Sequence, residues 1–105
     1  MRVRETLAEA AIGEGPAERL TSMGRAHAEM LADRELLLSQ MQLYTACADP
    51  EIRGVAREGF HWLREEVARL SGARGRQLQD FFARGMLLNL AASMDCAAPG
   101  DSAGW

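Results

Sequence analysis

The segment QDFFARGMLLNLAASMD at residues 79–95 has almost no wet side when wound into a helix. At 100° per residue, Phe81, Gly85, Leu88 and Ala92 form one apolar stripe. Phe82, Met86 and Leu90 form a second, and Leu87 and Met94 a third. Only Gln77, Asp80 and Arg84 line up as a narrow polar strip. A surface helix of a globular protein keeps one apolar face and one solvated face. This one demands cover on several sides, and that demand limits what the chain can fold into.

The other segments show how much cover the chain itself has to offer. Turn signals separate helical patterns throughout, and no alternating run is long enough for a strand. Residues 1–12 read as the tail of a helix that stops at Gly13-Glu14-Gly15. Pro16 suits the first turn of a helix over about 16–32, which puts Leu20, Met23, His27, Met30 and Leu31 on one face. Asp33 is placed to cap the next helix, ending near 47, with Leu36, Leu37, Gln40, Met41, Tyr44 and Cys47 at helical spacing. Asp49-Pro50-Glu51 is a restart signal, Asp49 as cap and Pro50 in the first turn. The helix over 50–70 buries a face running from Ile52 through Phe60 and Leu63 to Val67 and Leu70. Ser71-Gly72 ends it, and the last helix spans about 75–95. AAPGDSAGW has no periodicity, so 96–105 is expected to be an unstructured tail.

An all-α, antiparallel helical bundle is therefore expected, one domain over 13–95. A chain of 105 residues buries only about two thirds of its unfolded surface. Each large apolar side chain left in water forgoes roughly 1.5–3 kcal/mol. The economical cover for the last two helices is a second copy, in a four-helix contact through Gly59, Leu63, Phe81, Gly85, Met86, Leu88 and Asn89. Gly59 and Gly85 would let the two backbones approach. The competing reading is that these residues fill the core of a monomer.

Charge and cysteines exclude several classes. Twelve cationic residues, all Arg, against fifteen acidic ones give a net charge of −3, so the chain is poorly suited to bind nucleic acid through phosphates. Cys47 and Cys96 show no metal spacing, and a reduced, cytoplasmic setting is expected. No apolar run approaches the ~20 residues needed to span a bilayer, so no membrane partner is expected.

The run LLLSQMQLYTACADPEIRGVAREGFHWLREEVARLSG at 36–72, followed by FFARGMLLNLAASMD at 81–95, resembles the C-terminal regulatory domain of TetR/AcrR-type transcriptional regulators. The matching pieces are Gln40 to Arg53, Gly59 to Gly72 and Phe81 to Asn89, within a resemblance covering about 16–95. It implies a helical domain that dimerises through its last two helices and encloses a small-molecule pocket among the earlier ones. It also implies that DNA is contacted only through an N-terminal helix-turn-helix head, which this sequence does not contain. Residues 1–12 correspond to the helix joining head to body.

The pocket expected for a small apolar or amphipathic effector draws on Met23, His27, Met30, Leu37, Met41, Tyr44 and Phe60. Methionine adapts to varied guests, and a few polar groups such as His27, Gln40 and Tyr44 would orient one within an apolar wall. The plainer reading makes these ordinary core positions. Glu58 and His61 repeat the Glu-x-x-His unit of di-iron bundles, with Glu65 on the same face, but no second such pair exists. No metal or other cofactor is expected. No serine sits in a nucleophile elbow, no histidine is near Cys47 in sequence, and GARGRQ at 72–77 lacks the lysine of a phosphate loop. A non-enzymatic regulatory domain is expected; a stand-alone helical interaction module is the alternative.

Overall fold

A computed structural model describes residues 2–96, all helices and turns. Its elements are α1 (Arg2–Ala10), α2 (Pro16–Met30), α3 (Arg34–Thr45), a single 3-10 turn (Ala46–Ala48), α4 (Pro50–Ser71) and α5 (Arg76–Ser93). No strand occurs among the described residues. The tail expected over 96–105 lies outside them except for Cys96.

Local chemistry explains the boundaries. Asp33 caps α3 by accepting from the Leu36 amide at 3.1 Å. Asp49 caps α4, its Oδ1 accepting from Glu51 N at 2.9 Å and Ile52 N at 3.5 Å. Pro16 and Pro50 occupy first turns, where a missing N–H leaves no bond unmade. Arg53 reaches back to the carbonyls of Cys47 (2.8 Å) and Ala48 (3.1 Å), so the junction between α3 and α4 is tied from below as well. α4 ends at Gly72, whose φ of +79° lies in the left-handed region that costs other residues about 1–2 kcal/mol. The Ser71 hydroxyl completes this end, donating to Val67 O at 2.6 Å and accepting from Ala73 N at 3.0 Å.

The main core joins α2, α4 and α5. Leu20, Met23, Val67, Ala73 and Leu78 are its buried members, and Leu7, Leu63, Leu70, Phe81 and Phe82 pack around them. Arg19 fastens its edge, donating to Gly13 O at 3.0 Å and Leu70 O at 3.4 Å. α2 meets α5 along a seam of small residues. A Cβ at Gly24 would lie 3.9 Å from the Phe81 ring, and one at Gly85 would lie 3.9 Å from His27 Nε2. The contact thus advances in the same direction along both helices. α3 enters from the other end: Leu37 is 2% exposed, and Arg34 donates to Ala92 O (3.2 Å) and Ser93 O (3.0 Å) at the close of α5.

The turn at 72–75 brings α5 back past α4, so that Phe60 meets Phe82 edge-on with ring centroids 5.6 Å apart. Phe81 and Phe82 stand edge-to-face at 5.4 Å. Among the described residues no helix is long and apolar enough to cross a membrane.

Candidate functional site

α5 presents two different surfaces. Its inner side is closed over by α2 and α3. Its outer side leaves Met86, Leu90 and Met94 in water at 42, 44 and 59% exposure. Their spacing of four, continued backward to Phe82, makes one continuous ridge along the helix. Phe60 of α4, 48% exposed, extends the ridge sideways through its contact with Phe82.

Between α2 and α3 lies a small hollow of about 30 Å³, lined by His27, Met30, Leu31, Leu36, Leu37 and Gln40. It brings together three of the residues expected from sequence to bind a ligand, His27, Met30 and Leu37. They come from α2 and α3 because those helices join through a tight turn at residues 31–33. The lining contains no carboxylate and no arginine. His27 Nε2 is shut off from solvent and has no hydrogen-bond partner. Asn89 Oδ1 is in the same condition, on a side chain only 7% exposed. Asn89 stands one turn beyond Gly85, on the side of α5 that His27 touches. Most buried polar atoms are paired, and these two are exceptions to that rule.

The other expected pocket residues are placed elsewhere. Met23 belongs to the main core at 2% exposure, and Met41 is half-buried on α3. Tyr44 is 47% exposed. Phe60 lines a different space, an open groove of about 510 Å³ shared with Arg64, Gly75, Arg76, Gln79 and Phe82.

Of the residues expected to meet a second copy, Gly59 and Met86 are exposed, and no atom stands within 4 Å of a Cβ position at Gly59. Leu63 and Phe81 pack against the main core. Leu88 is half-buried. Gly85 is turned toward His27 of its own chain, and Asn89 is buried. The outer ridge therefore runs through Phe82, Met86, Leu90 and Met94, one position around the helix from the Phe81–Gly85–Leu88 stripe. A wheel diagram shows both stripes equally well; only the partner helix decides between them.

Glu58, His61 and Glu65 are all exposed on α4. Among the described residues no three His, Cys, Asp or Glu side chains converge as metal ligands would. Cys47 and Cys96 carry free thiols, and Cys47 Sγ donates to Leu43 O at 3.3 Å, the bond of a structural helix cysteine.

No known family model matches this chain, and no curated protein or solved structure is significantly similar to it.

Proposed function

We propose that this chain is the effector-binding and dimerisation region of a TetR-like transcriptional regulator. In this reading α4 and α5 of two copies form a four-helix contact, and DNA is bound by a separate helix-turn-helix head. The observation that supports it is the double duty of α5. Gly85 lies against His27, which lines the small hollow between α2 and α3, while Met86 and Leu90 on the same helix form the outer ridge. A guest that shifts α5 on its inner side must also shift the surface on which the copies meet. Such a ligand favours one separation of the two connecting helices, and operator affinity reads that separation.

Sedimentation of the chain and of its Met86→Glu/Leu90→Glu variant tests the association. The expected result is a dimer at micromolar concentration and a helical monomer for the variant. A monomeric parent chain would remove this reading. In a head-containing regulator, operator affinity must differ between ligand-free and ligand-saturated protein.

A further inference from the structure

We infer that the open groove between α4 and the start of α5 binds a small aryl carboxylate, its ring against Phe60 and Phe82 and its charge beside Arg64 and Arg76. This goes beyond the reading above, in which the effector acts on the inner side of α5. The groove holds about 510 Å³, within the range of roughly 300–1,000 Å³ typical of small-molecule sites. Its two walls follow from helical spacing. Phe60 and Arg64 stand one turn apart on α4, while Arg76, Gln79 and Phe82 follow at intervals of three along α5.

The lining sets the sign of the charge. It holds two guanidiniums and an amide, and no carboxylate. Neither Arg64 nor Arg76 is bonded to another described side chain; the ion pair on α4 joins Arg69 to Glu66 instead. Three and four positions from Arg64 stand Phe60, His61, Val67 and Ala68, so its own helix offers it no acid. Asp80, four residues after Arg76, makes no ion pair with it. Gly75, also in the lining, begins α5 without a side-chain cap, and no acidic residue stands in the first turn. The helix dipole therefore adds to the same positive field. A guanidinium presents paired donors that match the two oxygens of a carboxylate. The body of the ligand is set by the rings. Phe60 and Phe82 meet edge-on at 5.6 Å, and Phe60 is 48% exposed, so an aromatic guest extends that pair and covers apolar surface that acetate would leave wet.

The test is NMR titration of the isotopically labelled chain with naphthoate, naphthalenemethanol and acetate. Saturable shifts at the Gly75 and Arg76 amides and the Phe60 and Phe82 rings are expected with naphthoate. The alcohol lacks the charge and acetate lacks the ring, and each is expected to bind about tenfold more weakly or less. Arg64→Gln/Arg76→Gln changes two exposed side chains, so circular dichroism should show an intact helical fold. It should bind naphthoate about tenfold more weakly and the alcohol as the parent does. Unsaturable shifts, equal affinity for naphthoate and the alcohol, or full naphthoate affinity in the double variant would each overturn the assignment. So would shifts centred on His27 and Met30, which would put the guest in the hollow. Sedimentation reads the association separately: a monomer that binds naphthoate in the groove defeats the dimer reading and leaves this inference standing, and a dimer that ignores naphthoate does the reverse.

Discussion

The His27 imidazole lies against the backbone of Gly85, its Nε2 3.9 Å from the point where a Cβ on residue 85 would sit. That distance is ordinary van der Waals contact, so the site tolerates one methyl group and no more. Gly85→Ala gains helix propensity worth up to about 1 kcal/mol and introduces no clash. Gly85→Leu must push α2 away and is expected to cost about 1–3 kcal/mol. Urea denaturation of the two variants should therefore move in opposite directions. If alanine destabilised as much as leucine, the seam would be tighter than described.

Arg34 holds the far end of the same helix. Its guanidinium donates to successive carbonyls at the end of α5, Ala92 O and Ser93 O, the first of which also accepts from Asp95 N at 3.1 Å. The positive charge also suits the negative end of the helix dipole. The clamp is exposed, so Arg34→Ala is expected to cost only about 1 kcal/mol. Its sharper signature is local: faster amide exchange in the last turn of α5 than in α4. Arg34→Lys should not restore protection, because an ammonium cannot reproduce the fork.

How legible was this in the sequence? Caps and first turns were, because their chemistry acts over three or four residues. Asp33, Asp49, Pro16 and Pro50 stand where their side chains or rings alone would place them. The grouping of His27, Met30 and Leu37 was legible too, since one turn between two helices fixes which faces meet. What was not legible is which neighbour takes which stripe of α5. A helical period relates residues to one another by angle and carries no direction in space. Hence Gly85 and Asn89, expected on an outer contact, are inside, and Leu90 and Met94 carry the ridge. Tyr44 and Phe60 lie off the hollow for a similar reason: periodicity marks them apolar, while helix crossing decides their company.

Asp49 offers a cleaner measure of short-range control. Its carboxylate accepts from two amides that begin α4, the longest helix, so Asp49→Ala should cost about 1 kcal/mol, with Asp49→Ser recovering most of it. Thermal unfolding of the three proteins checks the order. An alanine variant as stable as the parent would mean that Arg53, bonded to Cys47 O and Ala48 O, holds the junction unaided.

Ser71 is the last residue of α4 and is 1% exposed, yet its hydroxyl is fully used. It donates to Val67 O and accepts from Ala73 N, and the second bond is the one that matters. Val67 O is a helix carbonyl that retains other options, whereas the Ala73 amide is in a buried turn beside the main core. Ser71→Ala strands that N–H and should cost about 1–3 kcal/mol, the penalty for an unsatisfied buried donor. Ser71→Val adds bulk where the core is closed and should cost more, while Ser71→Thr keeps the hydroxyl and should fall between alanine and the parent. Proton exchange at Ala73 separates bonding from packing: it should accelerate in alanine and valine alike and stay slow in threonine. Slow exchange in Ser71→Ala would show that the amide has another acceptor, and the stability loss would then have to come from packing.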